Sequence, residues 1–306
     1  MQHFLDFKQL SDHQIQSLLG RVLAFSRRVD AAAHRQLLKG KIITNLFYEP
    51  STRTRTSFEV AAHRMGADVV NISAGESSVE KGECLRDTLE TLHAIGVDAV
   101  VVRHPQTGVL NDLLAEKAID IALINAGDGC GQHPSQALLD TAILIAARGS
   151  LDGLKLVVAG DILHSRVAAA NIQLLSRLGI DDIRLVGPTQ LLPDVCPENV
   201  SLMTENFDAA LAGANAVMML RIQHERMDGL ELPDADDYYQ RWGLDESRLK
   251  LAQPDCVVLH PGPVNRGVEI SNAVADGPQS LIRQQVVMGV PARMAIFHLL
   301  LADTNN

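Results

Sequence analysis

Apolar positions along this chain repeat with two different periods, and the two alternate. Residues 41–47 (KIITNLF) form a short run of β-branched and apolar side chains, which predicts a strand. Shortly after it, Phe58, Ala61, Ala62 and Met65 recur at i, i+3, i+4 and i+7, and Gly66 ends the pattern. That spacing predicts an amphipathic helix closed by its C-terminal glycine. Residues 67–73, 97–103 and 119–124 predict further strands, and a helix with Leu85, Leu89 and Leu92 on one side lies among them. The run at 97–103 is nearly unbroken in apolar residues, as expected of a parallel strand covered on both faces. Ahead of all this, residues 1–40 read as helical: Ser11 can cap a helix whose apolar side is Ile15, Leu18, Leu19, Val22, Leu23 and Phe25.

The same alternation starts again in the second half. A helix over 134–147, ended by Arg148-Gly149, precedes strands at 155–159, 182–186, 216–222 and 256–260 and a helix at 165–178. A strongly apolar helix over 286–301 contains Pro291, which should fall in its first turns or kink it. Strands alternating with helices predict an α/β fold of two doubly wound parallel-sheet domains.

Composition adds limits to this picture. The 306 residues are 46% hydrophobic and 21% charged, enough for two ordinary domains with real cores. Neither a membrane-spanning apolar run nor a basic-then-apolar leader is evident, so a cytoplasmic location is the expectation. Cys84, Cys130, Cys196 and Cys256 are far apart and form no CxxC, so they read as reduced thiols with no zinc site. The net charge of −10 argues against nucleic acid or an anionic membrane as partner and makes local arginine clusters more informative.

Polar groups gather at the predicted C-terminal ends of the strands, the edge where ligands bind in open α/β sheets. Ser51-Thr52-Arg53-Thr54-Arg55 sits where a strand ends and a helix begins. Unpaired N–H groups, a positive dipole end, hydroxyls and a guanidinium fork make that junction a phosphate cradle; the plainer reading is a well-capped helix with two solvated arginines. Arg103-His104-Pro105, His133-Pro134-Ser135-Gln136, Arg166 after Gly160-Asp161, Arg221 with Gln223, and His260-Pro261-Gly262-Pro263 mark other strand ends. Each alone has a bland explanation, a surface ion pair or a helix-end histidine; together they point to one binding edge. The segment GDILHSR at 160–166 is no GxGxxG, and no GxxxxGK[ST] occurs, which disfavours dinucleotide and ATP binding.

Seven segments together resemble the aspartate/ornithine carbamoyltransferases over essentially the whole chain: FYEPSTRTRTSFE (47–59), SSVEKGECLRDT (77–88), VVRHP (101–105), NAGDGCGQHPSQALLD (125–140), GD…R (160–166), LRIQHER (220–226) and LHPGPVNRG (259–267). The LRIQ and HPGP segments resemble the aspartate branch, whereas the HCLP and SMG segments expected of the ornithine branch are not found. This resemblance implies a carbamoyl-phosphate domain over 1–133 plus about 286–306, a bridging helix over 134–149 and an aspartate domain over 150–285.

The resemblance also implies an activity and its residues. The carbamoyl group of carbamoyl phosphate passes to the α-amine of L-aspartate, an early step of de novo pyrimidine synthesis. Ser51, Thr52, Arg53 and Thr54 hold the phosphate, and Arg103, His133 and Thr54 contact the carbamoyl oxygen and stabilise the tetrahedral intermediate. Gln136, with the backbone at Pro261, Gly262 and Pro263, holds the carbamoyl NH2. Arg166, Arg221 and Gln223 bind aspartate. Ser77 and Lys81 enter the site from a neighbouring subunit of a homotrimer, with Lys81 against the substrates. No cofactor or metal is called for, and regulatory or dihydroorotase-like chains would be separate partners. The departing phosphate is a candidate acceptor for the amine proton. The alternatives are transfer to ornithine or another amine, or an inactive homologue acting as a scaffold.

Overall fold

The computed structural model describes residues 2–27, 31–73, 84–116, 119–223, 226 and 233–302. The chain divides into two compact units, Met1–Ala142 with Val286–Asn306, and Ile143–Gln285. Each is built on its own parallel sheet.

The first unit runs α1 (Asp12–Ser26), α2 (Ala31–His34), β1 (Ile42–Phe47), α3 (Thr52–Met65), β2 (Asp68–Ser73), α4 (Leu85–Ala94), β3 (Ala99–His104), α5 (Val109–Glu116) and β4 (Ala122–Asp128). Helix α6 (Pro134–Arg148) begins in this unit, and the chain crosses to the second within it. The strand order is β2-β1-β3-β4, every pair parallel. After β1 the chain winds first to one side and then to the other, so the ends of β1 and β3 flank a topological switch point. Ser11 closes a capping box on α1: its Oγ accepts from the Gln14 N–H at 3.2 Å while its own N–H donates to Gln14 Oε1 at 2.8 Å. Phe58, Ala61, Ala62 and Met65 are fully buried, which anchors α3 on β1 and β2; the Phe and Met contribute about 1.5–3 kcal/mol each. Gly66 takes the left-handed conformation (φ 87°) that ends the helix, and a Cβ there would meet the Arg35 carbonyl.

The second unit runs β5 (Lys155–Ala159), α7 (Arg166–Arg177), β6 (Asp182–Val186), β7 (Leu202–Thr204), α8 (Phe207–Leu211), β8 (Ala216–Met219), α9 (Ala235–Trp242), α10 (Glu246–Leu249), β9 (Val257–Leu259) and α11 (Asn272–Ala275). Its sheet order is β7-β6-β5-β8-β9, again all parallel, with the switch point between β5 and β8. Phe207, Leu211, Tyr238 and Trp242 pack on Val157, Val217, Met219 and Val258 to form its core. The chain returns to the first unit within α12 (Ile282–Phe297), which a π-helical turn (His298–Ala302) extends.

Several elements differ from expectation. Residues 2–10 are not helical: Phe4 pairs in parallel beside Ile124 and covers the free edge of β4. Strand β4 runs to Asp128 through residues that resemble a turn, because the Asp128 carboxylate accepts from Asn125 Nδ2, the Gln132 N–H and the Gly108 N–H at 2.9, 2.7 and 2.6 Å. Strand β8 stops at Met219, short of Ile222. There Gly160, at φ 125°, lets the end of β5 approach so closely that a Cβ would lie 2.2 Å from the Leu220 carbonyl oxygen. Pro291 lies mid-helix and not in the first turns of α12, which begins earlier than predicted. The carbonyl it leaves without a helical partner belongs to Val287, an exposed residue. The segment Ile282–Ala302 is also long and apolar enough to cross a membrane, contrary to expectation, but 67% of its apolar window is buried, as in a core helix. Strand β7 and helices α5, α8, α9, α10 and α11 were not evident in the pattern.

Candidate active site

In the first unit the predicted phosphate cradle sits at the switch point, at the N-terminus of α3. Ser51 occupies the N-cap position, yet its side chain makes no capping hydrogen bond, and no acidic residue lies in the first turn. The helix dipole and the leading N–H groups therefore have no carboxylate of the helix's own first turn to answer them. This departs from the well-capped helix of the plainer reading. Thr52 and Arg53 are exposed, Thr54 is buried, and Arg55 turns away to donate to Ser73 Oγ at 3.3 Å.

Beside the cradle, Arg103 is the penultimate residue of β3, opposite Phe47 of β1. Its Nε donates to Glu49 Oε2 at 3.1 Å, with both side chains largely buried. The Tyr48 and His104 rings meet at a tilt of 59° with centroids 4.8 Å apart, and burial pushes the His104 imidazole below its ordinary pKa. The loop after β4 is tied to this strand end by the Gly129 N–H, which donates to the His104 carbonyl at 2.9 Å. That loop leads to buried His133, whose carbonyl accepts the Gln136 N–H at 2.9 Å at the start of α6. Gln136 Nε2 donates to Asp140 Oδ1 at 2.9 Å, one turn further along the same helix.

In the second unit the predicted aspartate residues lie at its own switch point. Arg166 is the buried first residue of α7, behind the N-cap Ser165 whose Oγ accepts the Ala168 N–H at 3.1 Å. A cation at a helix N-terminus opposes the dipole, and a bound carboxylate would offset both. Arg221 and Gln223 follow β8. Gln223 Nε2 donates to the His164 carbonyl at 2.8 Å, and its N–H donates to Asp161 Oδ2 at 3.1 Å. The fully buried Asp161 also accepts from His164 Nδ1 at 2.9 Å, so one carboxylate joins the 160–166 and 220–223 loops. Arg226 Nη1 reaches the same His164 carbonyl at 2.9 Å.

Pro261, Gly262 and Pro263 follow β9, with a cis Gly262–Pro263 bond. Buried His260 shapes this turn: its Nδ1 accepts the Gly262 N–H at 2.8 Å, so Nε2 carries the proton and donates to Glu269 Oε1 at 3.0 Å. Ser77 and Lys81 lie outside the described residues.

A family model for the aspartate/ornithine carbamoyltransferase carbamoyl-P binding domain matches residues 2–145, and its Asp/Orn binding domain partner matches residues 152–300. The chain belongs to the aspartate/ornithine carbamoyltransferase family. It is 48% identical to the aspartate carbamoyltransferase catalytic subunit of Methylorubrum populi, over 99% of this chain and 96% of that one. Identity is also 48% to the Beijerinckia indica subunit of the same description, over 97% and 93% of the two chains. Among solved structures, aspartate transcarbamoylase of Trypanosoma cruzi with carbamoyl phosphate and aspartate has a TM-score of 0.85 at 32% identity, covering 97% of this chain and 95% of that one. Ornithine carbamoyltransferase of Thermus thermophilus has a TM-score of 0.84 at 26% identity, covering 98% and 99%. The fold is common to both branches of the carbamoyltransferases.

Within this carbamoyltransferase fold, four carboxylates were missed in the sequence: Glu49 and Asp161 just after strand ends, Asp140 within α6, and Glu269 in the segment after β9. Each is a partner of a predicted site residue or of the loop that carries it. Asp140 alone had a readable signal, its i+4 spacing from Gln136 on an apolar helix. Among the described residues, no group of three His, Cys, Asp or Glu side chains gathers to hold a metal ion, and all four cysteines are free thiols.

Proposed function

We propose that this protein transfers the carbamoyl group of carbamoyl phosphate to the α-amine of L-aspartate, releasing N-carbamoyl-L-aspartate and phosphate. The observation that carries the reading is the α3 N-terminus, open to an anion and flanked by Arg103 at the first switch point. The aspartate carbamoyltransferase subunits that share nearly half of its sequence support the same chemistry. Aspartate is favoured over ornithine because the second unit offers Arg166 and Arg221, suited to two carboxylates; the ammonium side chain of ornithine would face like charge.

Ser51, Thr52, Arg53 and Thr54 hold the phosphate. The amine nitrogen attacks the carbamoyl carbon, and negative charge grows on the carbamoyl oxygen. Arg103, His133 and the Thr54 hydroxyl donate to that oxygen, each worth roughly 3–4 kcal/mol in the transition state. Gln136, with the backbone at Pro261, Gly262 and Pro263, takes the carbamoyl NH2, and Arg166, Arg221 and Gln223 hold aspartate. The C–N bond forms first, giving a tetrahedral intermediate; the carbonyl then re-forms as the C–O bond to phosphate breaks, and the departing phosphate accepts the amine proton. No covalent enzyme intermediate is needed.

The working form in this reading is a cytoplasmic homotrimer in which Ser77 and Lys81 of one subunit complete the neighbour's site, and regulatory or dihydroorotase-like chains would join it as separate proteins. Its product serves de novo pyrimidine synthesis. Phosphate release tests the reading: it should depend on aspartate and not on ornithine. Release driven by ornithine, or none with either, would overturn it.

A further inference from the structure

Gln136 and Asp140 form a buried polar pair inside the first unit, and Asp140 acts electrostatically on the buried Arg293. Gln136 and Asp140 are one turn apart on α6, both buried, and joined by the 2.9 Å bond from Nε2 to Oδ1. Arg293 of α12 lies fully within the fold, its Nη1 donating to the Gly289 carbonyl at 2.8 Å and its guanidinium 4.8 Å from the Phe58 ring of α3. Burial pushes the Arg293 guanidinium down to about 9, against the opposing pull of Asp140. A buried charge at this place is expensive, and an apolar residue would fill it more stably.

The chemistry of the amide gives it a use. The Gln amide has one accepting end, Oε1, and one donating end, Nε2 with its two N–H groups, and a carboxylate can only accept. With Nε2 held by Asp140, the end left to meet a ligand is Oε1. A carbamoyl NH2 group can only donate. We propose that Asp140 is a positioning residue for the carbamoyl group: it fixes the Gln136 amide so that Oε1 accepts from the NH2 that distinguishes carbamoyl phosphate from other acyl phosphates. This rests on the reading that Gln136 meets the carbamoyl NH2. Arg293 sets the polarity of the device. In an Asp140→Asn chain the single remaining oxygen is drawn to the guanidinium, which turns the new NH2 group toward Gln136 and favours the flipped amide.

The test compares carbamoyl phosphate with acetyl phosphate, in which a methyl group replaces NH2. Both are titrated into the whole protein by calorimetry. The ratio of their dissociation constants does not depend on the fraction of chain that is folded. Asp140→Asn should weaken carbamoyl phosphate about tenfold, the factor of roughly 1.4 kcal/mol expected for one hydrogen bond, and leave acetyl phosphate unchanged. Asp140→Ala, which removes the acceptor without adding a donor, should shift the ratio in the same direction. Gln136→Ala should erase the same preference, and combining it with Asp140→Asn should add nothing. If Gln136→Ala erases the preference while both Asp140 variants keep it, the positioning role is overturned. If Gln136→Ala itself keeps the preference, the Gln136 assignment falls and takes the role of Asp140 with it. An equal loss for both ligands would reduce Asp140 to a packing residue.

Discussion

Arg103 donates its Nε to Glu49 Oε2 at 3.1 Å, across the point where β1 and β3 part. The guanidinium assigned to the carbamoyl oxygen is thus partly neutralised by a carboxylate of the same unit. Glu49→Gln should release it and tighten carbamoyl phosphate by up to about tenfold, or roughly 1.4 kcal/mol, in a calorimetric titration. Weaker binding in that variant would mean that Glu49 aligns Arg103 and does not compete for it.

The unused cap of α3 separates stability from binding. An N-cap serine normally contributes about 1 kcal/mol. Ser165 bonds to the Ala168 N–H, so Ser165→Ala should lower the unfolding midpoint in urea. Ser51 makes no such bond, so Ser51→Ala should leave the midpoint nearly unchanged while raising KM for carbamoyl phosphate. Arg53→Ala should raise that KM further and lower kcat, because its charge serves both the ground and transition states. Equal loss of stability in the two serine variants would return Ser51 to an ordinary cap.

The division of labour between the two units predicts that Arg221→Ala damages aspartate use far more than carbamoyl phosphate binding, by losing a charge-assisted carboxylate partner. Initial rates against each substrate, with calorimetry for carbamoyl phosphate, would show it. Collapse of carbamoyl phosphate binding with an unchanged aspartate KM would contradict it.

His104 makes stability depend on pH. Its folded pKa lies below the ordinary value of about 6.5, because burial disfavours the imidazolium. Between the two values the unfolded chain binds more protons than the folded one, so stability is fully present above about 6.5 and is lost as pH falls through the lowered folded value. His104→Gln should flatten that part of the urea-midpoint profile. An unaltered slope would assign the acid sensitivity to other groups.

The elements that carry the site were legible where a local pattern has one physical solution. Phe58 to Met65 can bury a stripe only as a helix, and Gly66 can end it in the left-handed region. Asn125 to Asp128 carried the signature of a turn but continue β4, because Asp128 joins two nearby donors, Asn125 and Gln132, to the Gly108 N–H, which sequence order does not bring close. Glu49 and Asp161 stayed hidden for the same reason: a buried carboxylate is recognised by what it accepts from, and those donors come from other strand ends. The expectation for Ser77 and Lys81 concerns residues outside those described. It stands on complementation: Lys81→Ala and Arg53→Ala chains, each nearly inactive alone, should regain a fraction of activity when their subunits exchange. No recovery after proven exchange would make Lys81 an ordinary solvated lysine.

Direct attack by the α-nitrogen of aspartate on the carbamoyl carbon leaves a bond that isotopes can trace. Carbamoyl phosphate labelled with heavy carbon and aspartate labelled with heavy nitrogen should give one product, N-carbamoyl-aspartate. Its carbamoyl carbon should show a one-bond coupling to the labelled nitrogen by NMR. Labelled phosphate release without that coupled product, or the same carbon found on ornithine in a mixed-substrate reaction, would contradict the account.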